Sequence, residues 1–178
     1  MATKKEQIDF ITRLYPAAVR LYKAGGICPL FVTAQAALET GYKIKGISNN
    51  IFGITQGTTW TGPVSLELTT EYFKTSNVKF TAPERVVSVT QVAPDKYKYS
   101  VYRHFRVYDT LDACLADHLG LLKKPMYADA WPYRHDAKEY ARRIVDSTGA
   151  KYATAPNYAT VMAAIIDNVA KIVQLNNL

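Results

Sequence analysis

The stretch Ala-Gln-Ala-Ala-Leu-Glu-Thr-Gly-Tyr, residues 34–42, places a single carboxylate, Glu39, at the end of a short apolar segment. Phe31 and Leu38, with the alanines between them, follow the three-and-four spacing of a helix packed on a core. Gly41 is a typical helix stop signal. The pattern therefore predicts a buried helix with Glu39 in its last turn.

The predicted position of Glu39 favours a protonated carboxyl. Unpaired carbonyls at a helix C-terminus carry the negative end of the helix dipole, which disfavours ionisation, and partial burial beside Leu38 and Tyr42 acts in the same direction. A carboxylic acid that keeps its proton near neutral pH suits general-acid cleavage of an ether-like bond. The alternative is an ordinary solvated glutamate near a helix end.

Composition indicates one folded domain with a positive charge. The chain has 178 residues, of which 48% are apolar, and 22 Lys and Arg against 15 Asp and Glu give a net charge of +7. This charge favours polyanions such as nucleic acid, an anionic envelope polymer or an acidic membrane face. The basic residues are scattered and form no long stripe, so we expect no nucleic-acid partner.

The two cysteines, Cys28 and Cys114, lie far apart in sequence, and neither belongs to a CxxC motif or has a nearby His pair. A structural metal is therefore not expected. Their apolar neighbours are compatible with two buried free thiols, and a disulfide in an oxidising compartment is the alternative.

The N-terminus leads directly into a helix that begins with a Thr3-x-x-Glu6 capping box, which leaves no room for a hydrophobic signal core. No segment approaches the ~18 consecutive apolar residues of a membrane span. We expect a chain without an export signal. Either a signal was removed from it, or the protein is exported by another route, or it is released by phage lysis.

The remaining pattern predicts an α+β protein. Residues 64–107 alternate apolar and polar side chains and are rich in Val, Thr and Tyr, as in a small antiparallel sheet. Helical spacing lies on both sides of this segment. The predicted helices cover residues 8–22, 31–40, about 110–122, about 136–145 and about 157–175.

Glu71 is the second carboxylate of interest. Strand alternation places Glu71 and Glu67 on one face of the first strand, opposite Leu66 and Leu68. If the leucines pack the sheet, both glutamates point outward, and the spacing does not choose between them.

Several short motifs follow one another along the chain. They are Ala34 to Tyr42, Asn49 to Ile54, Trp60 with Gly62, Thr69 to Tyr72, Phe105 to Tyr108, Leu119 to Leu122, and Tyr152 to Ala159. Together they resemble glycoside hydrolase family 73, the peptidoglycan-cleaving N-acetylglucosaminidases that include flagellar hydrolases and autolysins. Their order and spacing agree over residues 8–172, and several motifs in order are far more specific than any one alone.

This resemblance implies a single catalytic domain over residues 1–178, with a mainly helical lysozyme-like core and a β lobe at about 64–107 that borders the active-site cleft. It implies hydrolysis of the β-1,4 bond between N-acetylglucosamine and N-acetylmuramic acid in peptidoglycan. No metal or organic cofactor is implied. We expect a monomer that acts on the bacterial cell wall, in the periplasm or outside the cell.

The resemblance also implies residue roles. Glu39 is the general acid, Glu71 the second carboxylate and Tyr152 a tyrosine that lines the cleft near the cleaved sugar. The expected substrate-binding residues are Asn50, Phe52, Trp60 and Tyr158.

Two departures from the family pattern affect these expectations. Residues 85–102 lengthen the β lobe, and Ala155 stands where the family often has Asp. The mechanism stays open: carboxyls about 5 Å apart predict retention, ~6.5–9.5 Å predicts inversion, and a substrate N-acetyl group could itself attack the anomeric carbon. A lytic transglycosylase and an inactive glycan-binding module are the alternative functions.

Overall fold

The computed structural model describes residues 2–44, 48–145 and 157–178. The chain divides into two compact units, a helical unit formed by Met1–Phe52 and Tyr108–Leu178, and a lobe formed by Gly53–Val107. The helical unit contains α-helices, and the lobe contains a three-stranded antiparallel sheet. The predicted α+β class is therefore confirmed.

Among the described residues, the helical unit has two α-helices before the lobe and three after it, as predicted. A 3₁₀ helix at Pro125–Tyr133, which the spacing did not predict, precedes the α-helix at Ala137–Val145. The α-helices are α1 at Lys4–Lys23, α2 at Pro29–Thr40, α3 at Leu111–Leu122, α4 at Ala137–Val145 and α5 at Tyr158–Leu175.

The predicted capping box at the start of α1 is confirmed. The Glu6 backbone N–H donates to the Thr3 hydroxyl at 3.2 Å, and the Thr3 backbone N–H donates to the Glu6 carboxylate at 2.7 Å. This exchange satisfies amide donors that the first helical turn leaves unpaired.

Helix α2 is largely buried, and it packs against α1, α4 and α5. Pro29 and all residues from Phe31 to Ala37 are buried, and the Phe31 ring meets the Tyr140 ring edge-to-face with centroids 4.7 Å apart. Gly41 ends the helix in the left-handed conformation, with φ of 61°, which glycine adopts without steric cost. Burial along both faces explains why so many of its side chains are small.

Helix α5 is long and apolar enough to cross a membrane by length and composition, with a mean hydropathy of 1.3 over its 18 residues. The same test is passed by core helices of folded domains. The buried residues of α5 recur at helical spacing, and the helix packs against α2 and α4. These buried residues are Tyr158, Met162, Ile166, Val169 and Ile172.

The lobe contains strands β1 at Val64–Phe73, β2 at Arg85–Ala93 and β3 at Lys96–Arg106, in the spatial order β1-β3-β2. Its small core is aromatic: Tyr99 is fully buried, and its ring centroid lies 5.0 Å from that of Phe73 and 6.5 Å from that of Phe80. The Tyr99 hydroxyl donates to the Thr75 carbonyl at 2.9 Å and accepts from the Val78 N–H at 3.2 Å. These bonds hold the segment after β1 across one face of the sheet.

The expected orientation of β1 is wrong. Leu68 is 55% exposed, whereas Glu67, Glu71 and Phe73 are half-buried on the opposite face. The reason is that the segment between β1 and β2 folds back over the face that carries Phe73 and Tyr99. The two glutamates therefore share the covered face rather than the open one.

The chain enters and leaves the lobe through paired backbone. The Arg106 N–H donates to the Ile54 carbonyl at 3.0 Å, and Thr55 forms an isolated bridge with Phe105. Within the helical unit, the Asn49 side-chain amide donates to the Tyr108 carbonyl at 2.9 Å. In each unit, the segment that leads into the lobe is thus hydrogen-bonded to the segment that leads out of it.

Both cysteines are free thiols in the structure, with Cys114 buried and Cys28 half-buried. Burial raises the pKa of the Cys114 thiol to about 11. Cys114 is therefore protonated and chemically inert near neutral pH.

Candidate functional site

Glu39 lies where α2 leaves the core. Residues up to Ala37 are buried, Leu38 is half-buried and Glu39 is exposed as a residue, yet partial burial of its carboxyl raises the pKa of Glu39. The raised pKa agrees with the direction expected from the sequence, although the helix dipole is not needed to explain it. The carboxyl makes no hydrogen bond or ion pair with the described part of the chain. It is therefore available to an incoming ligand.

Phe52 has one ring face covered. Its ring stacks on the imidazole of His118, with centroids 3.7 Å apart and an interplanar angle of 11°. His118 is 4% exposed, and burial lowers its pKa to about 3. The neutral, buried imidazole thus covers one face of the half-buried Phe52 ring, so at most the other face is available to a sugar.

Two other predicted binding residues of the helical unit have little exposed surface. Asn50 is 6% exposed, and Tyr158, at the start of α5, is 5% exposed. Only a small part of either side chain is open to a ligand in this conformation. Tyr152, the predicted third catalytic residue, lies outside the described residues.

Glu71 belongs to a charged cluster on the covered face of the lobe sheet. Arg103 Nη1 lies 3.7 Å from Glu71 Oε1, and Arg103 Nε donates to Glu84 Oε1 at 3.1 Å. Glu84 also accepts the His104 backbone N–H at 2.8 Å. Arg103 is therefore held by Glu84 and gives the Glu71 carboxylate a fixed cationic neighbour.

Glu67 has a different environment although it shares the same face. It lies opposite Arg103 in the strand register, but its carboxylate accepts a short hydrogen bond from the Ser65 hydroxyl. The arginine instead reaches along the strand to Glu71. The two glutamates, which sequence alternation did not distinguish, thus have different partners: Glu67 accepts a hydrogen bond from Ser65, and Glu71 forms an ion pair with Arg103.

Trp60 forms a second cluster within the lobe. Its indole N–H donates to the Pro63 carbonyl at 3.0 Å, and the Arg106 guanidinium lies 4.9 Å from the ring centroid. Arg106 is 9% exposed and also donates to the carbonyls of Thr55 and Gln56, each at 3.1 Å. The cation and the indole N–H bond fix the orientation of the half-buried ring.

Sequence reasoning missed Arg103 and His118. Both are common residue types at unremarkable positions, and their importance comes from partners distant in sequence: Glu84 for the arginine and Phe52 for the histidine. One signal for Arg103 was available: when β1 is paired with β3, Arg103 lies directly opposite Glu67, and opposite charges across a strand pair attract.

The described residues contain no group of three or more His, Cys, Asp or Glu side chains that could hold a metal ion. The chemistry available in the described part of the site is that of carboxyls, a guanidinium and aromatic rings.

Comparison with known proteins gives a family match over most of the chain. The family model described as Mannosyl-glycoprotein endo-beta-N-acetylglucosaminidase matches residues 15–171. The chain is 31% identical over 158 residues to the peptidoglycan hydrolase FlgJ of Vibrio parahaemolyticus, covering 85% of this chain and 44% of that protein. The chain thus spans about half the length of the curated relatives it matches.

Solved structures show the same fold. The glycoside hydrolase domain of Salmonella typhimurium FlgJ, in a C-terminally truncated form, superposes with a TM-score of 0.66 at 28% identity, covering 93% of this chain and 98% of that one. The catalytic domain of the autolysin Auto from Listeria monocytogenes superposes with a TM-score of 0.69 at 22% identity, covering 97% and 90%. The predicted lysozyme-like α+β architecture is consistent with both likenesses.

Proposed function

Since the chain belongs to the glucosaminidase family of glycoside hydrolases, we propose that it cleaves the glycan strands of peptidoglycan. The family and the hydrolase class predicted from the sequence motifs are thereby confirmed. The bond we propose is the β-1,4 linkage between N-acetylglucosamine and N-acetylmuramic acid, the linkage that the motif resemblance implies.

The Glu39 carboxyl carries this proposal. Burial raises its pKa, and it has no hydrogen-bonding partner within the described residues. A carboxyl that retains its proton can protonate the glycosidic oxygen as the bond to the anomeric carbon breaks. Proton transfer lets the leaving sugar depart as a neutral alcohol, and Glu39 then becomes the carboxylate.

Glu71 is our proposed second carboxylate. Its pairing with Arg103 at 3.7 Å orients its side chain, whereas the Glu67 carboxylate is engaged by Ser65 on the same strand. An oriented carboxylate can serve as a general base for water or stabilise the positive charge of an oxocarbenium-like transition state. Tyr152 is proposed as the third catalytic residue on the motif resemblance alone.

The binding roles follow from surface chemistry. Half-buried aromatic rings with one available face, such as Phe52, suit stacking on the C–H face of a sugar. Trp60 is proposed for the same role because its ring orientation is fixed by Arg106. Asn50 and Tyr158 are proposed as polar contacts at the edge of the bound glycan.

We further propose that the domain acts as a monomer within the bacterial cell wall. Its net charge of +7 favours residence on an anionic envelope, because opposite charges raise the local concentration of a protein near a polymer.

The direct test is digestion of purified peptidoglycan by the unmodified protein and by Glu39→Gln. Removal of a general acid lowers rates by about 10²–10⁴-fold, so we expect near-complete loss of cleavage with an unchanged unfolding midpoint. Full activity in Glu39→Gln contradicts the assignment of the acid.

The products separate the alternatives. Hydrolysis at the proposed bond leaves N-acetylglucosamine at the new reducing end, which borohydride reduction and mass analysis identify. An anhydro sugar identifies lytic transglycosylase cleavage, and binding without release of fragments identifies an inactive glycan-binding module.

A matched pair of variants tests the second carboxylate. Glu71→Gln is expected to slow cleavage, and Glu67→Gln, an equivalent change on the same strand face, is expected to leave the rate close to that of the unmodified protein. Equal losses from the two variants contradict the distinction between them. NMR of the product anomer at early times then reports retention or inversion.

A further inference from the structure

The lobe contains a groove of about 640 Å³, and its described lining residues are 56–58, 73, 79–84 and 103–104. It lies beside β3, just before β2 begins: the His104 N–H donates to the Glu84 carboxylate at 2.8 Å, and the His104 carbonyl accepts from the Gln56 N–H at 2.9 Å. This volume falls in the range of about 300–1,000 Å³ that is typical of small-ligand sites.

The charges that line the groove favour an anion. Lys79, Arg103 and His104 supply cationic or hydrogen-donating nitrogen atoms, and Glu84 is the sole carboxylate among the described lining residues. The Glu84 carboxylate is already engaged by the Arg103 side chain at 3.1 Å and the His104 backbone. Lys79 is exposed and forms no ion pair within the described chain. A ligand carboxylate can therefore approach Lys79 without displacing a protein partner.

The aromatic side chains of the groove pack on one another and on Arg103. The Arg103 guanidinium lies 5.0 Å from the Phe80 ring centroid, and Phe80 also packs edge-to-face on Phe73 at 6.0 Å. One face of the Phe80 ring is thus occupied by a cation. The apolar lining also includes Ala82 and Pro83, which can contact short aliphatic side chains of a ligand.

We propose that this groove binds a carboxylate-bearing peptide, and that in the wall substrate this peptide is the stem attached to the glycan. The identification of the stem rests on the proposed function. The sugars of a stem-bearing glycan strand are uncharged, and the carboxylates of the polymer lie on its peptides. A groove that carries the exposed Lys79 therefore complements the stem rather than the sugar chain.

The groove shares Arg103 with the candidate site, since the same guanidinium lies 3.7 Å from Glu71. Arg103 can donate to a ligand carboxylate through its remaining N–H groups while its Nε donates to Glu84. A ligand in the groove would thereby contact Arg103, the residue that orients Glu71, the proposed second carboxylate.

The first arm of the test is a calorimetric titration of the unmodified protein with the soluble peptide L-alanyl-γ-D-glutamyl-L-lysine. The comparison probe is the same peptide with both carboxylates amidated. We expect the carboxylate form to bind at least ~5-fold more tightly, because charge-assisted hydrogen bonds are the stronger ones. Lys79→Gln should weaken binding of the carboxylate form by ~5-fold. Lys98→Gln, an exposed charge on the same lobe outside the groove, should bind as the unmodified protein does.

Equal affinity for the two peptides overturns the proposal, as does absence of binding at peptide concentrations of about 10 mM. Equal weakening by Lys79→Gln and Lys98→Gln also overturns it, since the attraction would then come from net charge alone. These measurements require no glycan cleavage, so they decide the proposal even if the proposed hydrolase activity fails.

The second arm uses the wall itself. The ratio of the cleavage rates on stem-bearing and stem-free glycan strands should fall ~5-fold in Lys79→Gln and keep its unmodified value in Lys98→Gln. An unchanged ratio in Lys79→Gln overturns the stem assignment. Failure of the unmodified protein to cleave either strand contradicts the proposed function instead.

Discussion

Substitution of Gly62 by alanine should destabilise the lobe through the Trp60 ring. A Cβ built at Gly62 lies 2.5 Å from Cζ2 and 2.8 Å from Cε2 of Trp60. Ordinary contacts between carbon atoms are about 3.5–4.0 Å, so the ring must retreat by about 1 Å. The ring cannot do so freely, because its N–H is bonded to Pro63 and its face contacts Arg106.

The expected loss of stability follows from these contacts. Overpacking costs about 1–3 kcal/mol, a weakened hydrogen bond about 0.5–1.5 kcal/mol, and a weakened cation–π contact about 0.5–1 kcal/mol. These effects overlap, since a single ring movement causes all of them. We therefore expect a net loss of about 2–3 kcal/mol, which for a chain of this size corresponds to about 4–12 °C in the unfolding midpoint.

The assay is thermal unfolding followed by circular dichroism and calorimetry, with Gly120→Ala as the matched control. Gly120 lies on the exposed side of α3, and a Cβ there would meet no described atom within 4 Å beyond its chain neighbours and the adjacent helix backbone. The same substitution should stabilise the chain by about 0.5–1 kcal/mol, because alanine is the better helix former. The two glycine-to-alanine changes should thus shift the midpoint in opposite directions. An unchanged or raised midpoint in Gly62→Ala refutes the proposed packing of Trp60.

Three further outcomes are expected. Because burial raises the pKa of Glu39 and the acid acts in its protonated form, cleavage should decline as pH rises through a value above the ~4.3 of an ordinary glutamate, measured as a kcat profile. His118, whose pKa burial lowers to about 3, is neutral in the folded chain and protonates near pH 6.5 when unfolded. Because of this residue, the free energy of unfolding should therefore fall by about 2 kcal/mol between pH 7 and pH 5. In His118→Phe, the free energy measured by urea unfolding should depend correspondingly less on pH. The half-buried Cys28 should react with a thiol reagent in the folded protein, whereas the buried Cys114 should react only after denaturation.

Each of these outcomes has a clear contradiction. A rate that rises through the same pH interval would mean that Glu39 acts as the ionised form. If the free energy of unfolding changes equally with pH in His118→Phe and in the unmodified chain, the sensitivity to acid comes from other residues. Rapid modification of both thiols in the folded state would contradict the burial of Cys114.

The place of Glu39 was predictable because it depends on local features. Apolar spacing set the length of α2, and Gly41 supplied the left-handed residue that ends it with φ of 61°. Both signals lie within a few residues of Glu39. The sequence therefore indicated the helix end and the direction of the pKa shift without knowledge of the rest of the fold.

The orientation of β1 was not predictable in the same way. Its alternation offers Leu66 and Leu68 on one face and Phe73 on the other, so local hydrophobicity favours the wrong face. The covered face is decided by the segment after β1, which the Tyr99 hydroxyl holds through hydrogen bonds 21 and 24 residues away in sequence. The same limitation concealed the pairing of Arg103 with Glu71, which follows side-chain reach rather than strand register.

The paired backbone at the base of the lobe makes the lobe an exchangeable module. Entry and exit strands are joined by the Arg106 to Ile54 hydrogen bond of 3.0 Å, and the helical unit joins its own two ends through Asn49 and Tyr108. Residues can be added or removed at the far end, between β2 and β3, without altering either junction. Lengthening or shortening the lobe between β2 and β3 should therefore leave the helical unit, including the end of α2 that carries Glu39, unaltered.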